Sequence, residues 1–402
     1  MKTEIITKDI SRAAEIISSG GLVAVPTETV YGLAGNGLNE EAVKEIYSVK
    51  GRPEVKALSL MVPGKEAMKQ YCENVPGAAC ALAEKFWPGP LTIILESRDC
   101  VPEIVRAGGS TVGLRCPDHD LTLELLKSCA LPLAAPSANP SGEPSPKNAK
   151  KVLEYFDGKI GAVLDGGECG IGTESTIIDM SQRPYRILRK GALSEKEISR
   201  ALAECITLVG ITGGSGCGKT TALKVLEKMG ALIVDADEVY HRLCSESEEM
   251  KLELTERFGA VYKDGKLDRK ALGAIVFSDS IALKDLNSIT HKYVSAEIQR
   301  RIERHAMNGG TLAAIDAIAL LEGAFAKRTA FNVAITAPTE ARVQRLLMRE
   351  GISKEYARSR IAAQHPNEYF QEKCDYTLHN GGSREEFECV CNKFFTEVLK
   401  SV

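Results

Sequence analysis

The sequence lacks the features typical of membrane proteins, of secreted proteins and of proteins that bind nucleic acids non-specifically. Its 402 residues carry a formal net charge of −3, with −3 over residues 1–204 and 0 over residues 205–402. Neither half has the basic excess typical of non-specific nucleic-acid binding. The N-terminal residues show no secretory-signal pattern, and the longest apolar run, residues 312–326, is interrupted by Asp316 and Glu322 and is too short to span a bilayer. We expect a soluble cytoplasmic protein with no membrane partner.

Cysteine is present, but in no arrangement that indicates disulfides or a metal site. None of the 12 cysteines forms a Cys-x-x-Cys pair, and only Cys389 and Cys391 lie close together in the sequence. Scattered thiols in a protein of this size usually serve as small apolar core residues. We therefore expect free cysteines packed in the core.

A phosphate-binding loop lies in the middle of the chain, between an apolar strand and a helical stretch. The string GGSGCGKTT lets backbone N–H groups surround an anion, while the lysine reaches the outer phosphates of ATP and the first threonine ligates Mg²⁺. The expected nucleotide contacts are Gly213, Gly214, Ser215, Gly216, Cys217, Gly218, Lys219, Thr220 and Thr221, with Thr220 as the metal ligand. Because the donor-rich loop could stabilise a thiolate, we also expect maleimide to attack Cys217 and ATP to protect it.

The position of this loop divides the chain, because a P-loop fold begins with the strand and loop and leaves the upstream residues without a role in it. We predict two domains, residues 1–204 and 205–402, joined by a short and fairly stiff junction. The first half alternates short β-rich runs with amphipathic stretches, which predicts an α/β domain. Strands are predicted over 22–25, 91–95, 111–114, 131–135, 162–164 and 176–179, and helices over 40–49, 65–72, 78–86, 121–128, 147–155 and 194–204.

Several segments of the first half place polar or cationic residues beside turn-forming ones at the ends of predicted strands. They are PTETVYGL (26–33), KGRPEVKALSLMV (50–62), FWPGPLT (86–92), TVGLRCP (111–117), APSANPSG (135–142), DGGECGIGTESTIID (165–179) and ILRKG (187–191). Each is weak alone, but in this order they resemble the threonylcarbamoyl-AMP synthase family with its YrdC-like fold. The Ser/Pro-rich stretch 137–146 is accordingly interpreted as a functional loop, although a linker is the simpler explanation of its composition.

The resemblance implies a twisted α/β sheet with a basic cavity, in which L-threonine, bicarbonate and ATP give threonylcarbamoyl-AMP and pyrophosphate for downstream tRNA-modifying proteins. Two anions must meet in such a reaction, so fixed cations are the main requirement and no protein nucleophile is needed. The family positions are Lys50, Arg52 and Lys56 for the triphosphate, Arg189, Thr111, Ser137, Asn139 and Ser145 for other nucleotide contacts, and Thr29, Arg115 and Ser175 for threonine. Met61 departs from the pattern, since many members place a threonine-contacting histidine there.

Downstream of the P-loop, carboxylates and arginines follow at positions suited to phosphoryl transfer. Asp237 follows a predicted strand and could orient a hydroxyl, while Asp316 is either a Walker-B-like carboxylate or a cap on the next helix. Helical spacing places Arg342, Arg345 and Arg349 on one face, and Arg358 and Arg360 follow on a second short helix. We interpret these five as a phosphate-clamping lid rather than a solvated face.

The second half as a whole resembles dephospho-CoA kinase over residues 206–395, through GGSGCGKTT, VDAD, DGKLDRKAL, LNSITH, LLE, RIAAQ and CDYTLHNGG. The resemblance implies a P-loop kinase with a central parallel sheet, a CoA-binding helical region over 264–291 and a lid over 342–364. It would use ATP and Mg²⁺ to phosphorylate the ribose 3′-hydroxyl of dephospho-CoA. Lys219, Asp237, Arg345 and Arg360 would be the catalytic residues. Residues 316–322 lack the proline and phenylalanine of the usual segment.

Two other functions stay open at this point. The first half could be an RNA-binding YrdC-like module, for double-stranded RNA, without synthase activity. The second half could phosphorylate another small alcohol, such as a nucleoside or shikimate. A scaffold with both sites inactive is disfavoured because both sets of phosphate-handling residues are present.

Overall fold

The computed structural model describes residues 2–263, 265–316 and 328–401. Two compact units divide the chain, Met1–Glu204 with Met307–Gly309, and Cys205–Ala306 with Gly310–Val402. The segment LLE at 320–322 and residue 264, both singled out in the sequence, lie outside the described residues. Among the described helices, none combines the length and apolarity needed to cross a membrane.

The first unit is built on one mixed ten-stranded sheet with the strand order β1-β8-β2-β3-β7-β4-β6-β5-β9-β10. Most of its strands are two to five residues long, and the inner ones are buried on both faces, as expected where helices cover a sheet. The strands are β1 (Glu4–Ile6), β2 (Val23–Val25), β3 (Gly32–Asn36), β4 (Ser59–Met61), β5 (Leu91–Glu96), β6 (Thr111–Arg115), β7 (Leu133–Ala134), β8 (Ala162–Leu164), β9 (Thr176–Asp179) and β10 (Arg186–Arg189).

Helices of the first unit begin where the sequence supplies a cap. Asn39 accepts hydrogen bonds from the first backbone N–H groups of α2, and Asn148 does so for α6. Ser194 and Glu197 form the reciprocal bonds of the predicted capping box at the start of α7. The helices are α1 (Ile10–Ser18), α2 (Glu40–Lys50), α3 (Ala67–Tyr71), α4 (Gly77–Phe86), α5 (Asp120–Cys129), α6 (Ala149–Phe156) and α7 (Glu195–Glu204). The six helices predicted from the sequence are confirmed, while α1 was not predicted.

The second unit has a five-stranded parallel sheet in the order β12-β15-β11-β16-β17, which confirms the central parallel sheet. Val209, Ile211, Ala314, Val333 and Ile335 from its three central strands join one buried core with α8 and α16. The strands are β11 (Thr207–Thr212), β12 (Leu232–Asp235), β15 (Leu312–Asp316), β16 (Phe331–Thr336) and β17 (Tyr376–His379), with a separate hairpin of β13 (Tyr262–Lys263) and β14 (Lys266–Leu267).

Helices pack against the strands of the second sheet. The 28-residue α12 carries the LNSITH segment, and α13 and α14 carry the five arginines interpreted as a lid. The helices are α8 (Lys219–Lys228), α9 (Ala236–Glu246), α10 (Glu248–Phe258), α11 (Arg269–Val276), α12 (Ser280–Met307), α13 (Thr339–Glu350), α14 (Lys354–Ala362), α15 (Asn367–Lys373) and α16 (Arg384–Val398).

Candidate active sites

A cavity of about 190 Å³ opens on the sheet of the first unit, where β3, β4, β5 and β6 lie beside the loops 136–146 and 165–175. Residues from distant parts of the sequence meet there, which explains why no single motif was informative by itself. Six residues predicted from the sequence line it: Arg52, Thr111, Arg115, Ser137, Ser175 and Arg189. Met61, the residue that departs from the family pattern, lines it too.

Arg189 is held in the cavity wall by three hydrogen bonds. Its guanidinium donates to a carboxylate oxygen of Glu174 at 2.6 Å, to the Ser175 hydroxyl at 2.9 Å and to the Ser175 carbonyl at 3.0 Å. Glu174 also accepts a hydrogen bond from the Ser145 hydroxyl at 3.0 Å, and Ser145 itself does not line the cavity. Burial lowers the pKa of Arg189, so the protein keeps a partly desolvated cation where an anion could bind.

A buried ion pair lies at the other side of the cavity. One terminal nitrogen of Arg115 donates to Glu28 at 2.7 Å and to the Thr29 hydroxyl at 2.8 Å. The side chains of Arg115 and Glu28 are only 8% and 12% exposed. The Arg115 Nε is buried and has no hydrogen-bond partner in the part of the chain that the structure describes. The guanidinium therefore keeps donor capacity for a ligand carboxylate while Glu28 and Thr29 fix its orientation.

Four of the predicted nucleotide contacts lie outside the cavity lining, namely Ser145, Lys50, Lys56 and Asn139. Lys56 is exposed, and its carbonyl accepts a hydrogen bond from Arg52 Nε at 3.2 Å. Asn139 is buried, and its amide group donates to the carbonyls of Pro140 and Glu143. Lys50 is also buried, and its Nζ donates to the carbonyls of Ser137 and Asn139 rather than pointing into the cavity.

In the second unit, the P-loop has the backbone shape that the glycine spacing predicts. Gly213, Gly216 and Gly218 adopt φ values of 138°, 77° and 103°, which side-chain-bearing residues rarely adopt. The loop ends at α8, so its N–H groups meet the positive end of a helix dipole. Lys219 is the first residue of this helix, and its Nζ donates to the Gly213 carbonyl at 3.1 Å.

Side chains from α13 and from the segment after β17 hold the P-loop by donating hydrogen bonds to its backbone carbonyl oxygens. Arg342 Nε donates to the Ser215 carbonyl at 2.9 Å, and Arg345 donates to the carbonyls of Gly216 and Cys217 at 3.3 and 3.4 Å. Asn380 donates to the Cys217 carbonyl at 2.9 Å and accepts from Arg345. Because these carbonyls are fixed from one side, the loop N–H groups are held in a defined direction for an anion.

Gln364 completes this arrangement at Ser215. Its amide oxygen accepts from the Ser215 N–H at 2.8 Å and from Arg342 at 3.0 Å, and its amide nitrogen donates to the Ser215 hydroxyl at 2.8 Å. The Ser215 N–H and hydroxyl, expected to contact nucleotide, are engaged by protein in this conformation. Gln364 belongs to the RIAAQ segment just after α14, so the loop is directly connected to the segment interpreted as a lid.

Carboxylates gather beside Lys219 at the carboxyl ends of β12 and β15. Asp316 lies 3.8 Å from the Lys219 Nζ and pairs in register with Asp235 on the neighbouring strand. Burial raises the pKa of Asp316 to about 6, and the negative charges of Asp235 and Asp237 add to the effect. This placement favours the Walker-B-like interpretation of Asp316. Asp235 caps α9, and Asp237 is exposed in the first turn of that helix.

The five arginines interpreted as one lid face separate partners. Arg342 and Arg345 contact the P-loop, whereas Arg360 pairs with Glu350 at 2.5 Å and Arg358 with Glu340 at 2.6 Å. Arg349 also pairs with Glu350. The expected convergence of all five on one site is therefore wrong for this conformation, because nearby carboxylates on α13 satisfy the outer three.

The expectation of a reactive Cys217 is also wrong. This thiol is 1% exposed and packs in the core with the β11, β16 and α8 residues, although its backbone belongs to the phosphate loop. Burial raises the pKa of Cys217, so the unreactive thiol form is favoured. We expect maleimide to label exposed Cys100 and Cys389 in the native protein and to spare Cys217 with or without ATP, as checked by peptide mass spectrometry.

Comparison with known proteins identifies both halves. A family profile described as telomere recombination, covering Sua5, YciO and YrdC proteins, matches residues 15–191, and a dephospho-CoA kinase profile matches residues 207–386. A putative threonylcarbamoyl-AMP synthase of Methanocaldococcus jannaschii is 35% identical over 46% of this chain and 86% of its own length. A dephospho-CoA kinase of Corynebacterium glutamicum is 33% identical over 48% of this chain and 98% of its own. The chain belongs to both families.

This chain matches only part of the length of some members of the Sua5/YciO/YrdC family. A threonylcarbamoyl-AMP synthase of Pyrococcus abyssi is 46% identical over 48% of this chain but only 56% of its own length. The chain thus spans about half the length of several synthases that it matches.

Sequence reasoning missed four residues that shape the two sites. In the Sua5/YciO/YrdC half these are Glu28 and Glu174, and in the dephospho-CoA kinase half Gln364 and Asn380. Each stands inside a motif that was noted, namely PTETVYGL, GTESTIID, RIAAQ and HNGG. The motifs gave the positions, but only the fold shows that these side chains bind the arginines and the P-loop.

The dephospho-CoA kinase half permits a sharp test of the P-loop geometry. An added Cβ on Gly218 would lie 2.1 Å from the Asn380 Nδ2, whereas one on Gly230 would meet no atom of the described residues within 4 Å. Both glycines have positive φ, at 103° and 90°, so both alanine variants carry backbone strain of roughly 1–2 kcal/mol. We expect Gly218→Ala to lose ATP affinity by at least about tenfold and Gly230→Ala to keep it, as measured by calorimetric titration. Equal loss in both variants would contradict this geometry.

Proposed function

We propose that the chain is a bifunctional enzyme. The first unit would convert L-threonine, bicarbonate and ATP to threonylcarbamoyl-AMP and pyrophosphate, and the second would transfer phosphate from ATP to the 3′-hydroxyl of dephospho-CoA. We also propose that it acts in the cytoplasm, where tRNA-modifying proteins would use the first product.

The synthase proposal is carried by the three guanidinium groups of Arg52, Arg115 and Arg189 around one cavity. N-carboxylated threonine and the α-phosphate of ATP both bear negative charge, so their approach needs fixed cations with little water between them. In the proposed complex Arg115 binds the threonine carboxylate, while Arg52 and Arg189 face the phosphates. Ser137 and Thr111 supply neutral hydrogen bonds that orient the nucleotide without adding charge, and Ser175 does the same for threonine.

The test of this half uses the intact protein with radiolabelled threonine, bicarbonate and Mg·ATP. We expect pyrophosphate release that depends on both threonine and bicarbonate, with label in an adenylate that is hydrolysed slowly enough to isolate. If no pyrophosphate forms while the protein retains a double-stranded RNA in filter binding, the RNA-binding alternative replaces the proposal.

The kinase proposal is carried by Lys219, which lies between the P-loop carbonyl of Gly213 and the carboxylate of Asp316. A phosphate bound to the loop would be close to this ammonium group, which would stabilise charge on the transferred phosphoryl group. Asp237, exposed beside the site on α9, would orient the attacking hydroxyl or accept its proton. Arg345 would act by fixing the loop, and Arg360 would act only after its pairing with Glu350 is released.

The residues around Lys219 fit a magnesium ion that arrives with ATP. Asp316 is largely removed from solvent near Asp235 and Asp237. Desolvation raises its pKa, the two neighbouring negative charges add to the effect, and a divalent cation would relieve it. Among the described residues, no group of three or more His, Cys, Asp or Glu side chains could hold a metal by itself. Thr220 and Asp316 would therefore share the ion with the ATP phosphates, as is common for Mg²⁺. The ion would neutralise charge on the phosphates.

An acceptor screen tests the second half. ADP release is measured with dephospho-CoA, nucleosides, nucleoside monophosphates and shikimate at equal concentrations, and the product is identified by mass spectrometry. We expect dephospho-CoA to be preferred by at least about a hundredfold. A preference for a nucleoside monophosphate or shikimate would overturn the acceptor assignment while leaving the kinase fold intact.

A further inference from the structure

Lys50 is the last residue of α2, and it contacts the 137–146 loop at three points. Its Nζ donates to the carbonyls of Ser137 and Asn139, and its own carbonyl accepts a hydrogen bond from the Ser141 N–H at 2.8 Å. Lys50 as a whole is 3% exposed. These contacts connect a rigid helix end to a loop that carries four prolines between 136 and 146 and therefore has few backbone donors of its own.

The surroundings of this ammonium group differ from those of a phosphate-binding lysine. Within the part of the chain that the structure describes, no carboxylate forms an ion pair with Lys50, and its side chain is absent from the cavity lining that includes Arg52. Burial lowers the pKa of Lys50 to about 8, with the Arg52 charge as the second cause. Backbone carbonyls, which carry partial negative charge, are the ligands that the ammonium group contacts.

The loop is also held by β3 and by Tyr31, the residue that precedes this strand. The Ala138 N–H donates to the Tyr31 carbonyl at 2.7 Å, and the Tyr31 N–H donates to the Pro146 carbonyl at 2.9 Å. Gly32 and Ser137 also form an isolated bridge. The loop is thus fixed between β3 and Lys50, and Ser137 in its first turn is the residue that reaches the cavity.

We propose that Lys50 is a positioning residue, whose ammonium group serves as an internal cation that holds the carbonyls of Ser137 and Asn139 and so sets the nucleotide-contacting loop. This inference rests on the proposed synthase function and changes the role given to Lys50 there, from binding the triphosphate to ordering the loop. Arg52, two residues further, is left as the phosphate-facing cation of the pair.

The first measurement needs no activity. Hydrogen exchange of loop amides, including those of Ala138 and Ser141, is compared in nucleotide-free wild type, Lys50→Met and Arg52→Met. Methionine retains the apolar length of lysine but donates no hydrogen bond, so the loop should loosen and exchange at least about tenfold faster in Lys50→Met. Arg52→Met should leave these amides unchanged. Unchanged exchange in Lys50→Met, with a normal circular dichroism spectrum, would overturn the proposal.

The second measurement separates the two roles through binding and rescue. If Lys50 orders the loop, Lys50→Ala weakens the binding of AMP and the binding of ATP by similar factors. Ethylammonium ions then restore binding by occupying the vacated space between the carbonyls. If Lys50 contacts the outer phosphates, Lys50→Ala weakens ATP alone and the proposal fails. If the first unit of the wild-type protein bound neither AMP nor ATP, the proposed synthase function would be refuted. The hydrogen-exchange result would still stand, because it does not depend on that function.

Discussion

Asp316→Asn is expected to stabilise the second unit while removing nearly all of its proposed kinase activity. The side chain is 17% exposed, and burial raises its pKa from 3.8 to about 6, so the folded protein pays to keep the carboxylate charged at neutral pH. A shift of this size corresponds to about 3 kcal/mol, which the isosteric amide would recover in large part. The same charge is the one proposed to share Mg²⁺ with Thr220, so kinase turnover should fall by at least about a hundredfold.

The sign of the pH dependence follows from the direction of the shift. Because the folded-state pKa lies above the unfolded value, ionised Asp316 destabilises the fold as pH rises from about 4 through 6. The advantage of Asp316→Asn should therefore be full at pH 7.5, fall to about half at pH 5 and vanish below the unfolded pKa. Thermal or denaturant unfolding of wild type and variant at these pH values measures it.

Asp237→Asn is the matched control for this experiment. Asp237 belongs to the same carboxylate group but is exposed, so its replacement removes little desolvation and should give no comparable gain in stability. It should nevertheless lower kinase activity, because the hydroxyl-orienting carboxylate is lost. A stability gain in Asp237→Asn equal to that of Asp316→Asn would show that general charge repulsion, rather than burial, is the cause.

The elements that the sequence predicted are those whose signals are local. The P-loop is encoded by glycine spacing over nine residues, and the α7 capping box by two residues three positions apart. Strands such as β5 and β9 carry enough apolar residues to show their period. The three-residue strands β1 and β4 were not predicted, because Glu4 and Ser59 shorten their apolar runs, whereas the equally short β2 and β8 are wholly apolar.

Side-chain partners could not be predicted, because they depend on contacts between distant positions. Lys50 meets Ser137 and Asn139 across 87 and 89 residues, and Arg342 meets Ser215 across 127. From charge and family position, both cations were expected to bind phosphate. In the fold, both donate hydrogen bonds to backbone carbonyls instead. Burial is equally non-local, and it explains why Cys217 occupies a phosphate loop by sequence and a hydrophobic core by structure.

Arg115→Met is expected to lower both the folding stability of the first unit and its proposed synthase activity. Removing the guanidinium leaves the Glu28 carboxylate, 12% exposed, with the Asp118 N–H at 3.0 Å as its one remaining partner among the described residues. Breaking one side of a buried ion pair typically costs about 3–5 kcal/mol, most of it from the uncompensated charge. Denaturant unfolding should show this loss, and Glu28→Gln, which can still accept from Arg115, should cost less.

The double variant Glu28→Gln/Arg115→Met separates the two consequences. With both charges removed, no carboxylate is left unpaired, so most of the stability lost in Arg115→Met should return. Threonine binding should not return, because the cation for its carboxylate is still missing. We expect a threonine KM at least about a hundredfold above wild type with ATP affinity unchanged. Recovery of threonine affinity together with stability would mean that Arg115 supports the cavity without binding the amino acid, and Arg52 or Arg189 would then be the remaining candidates for its carboxylate.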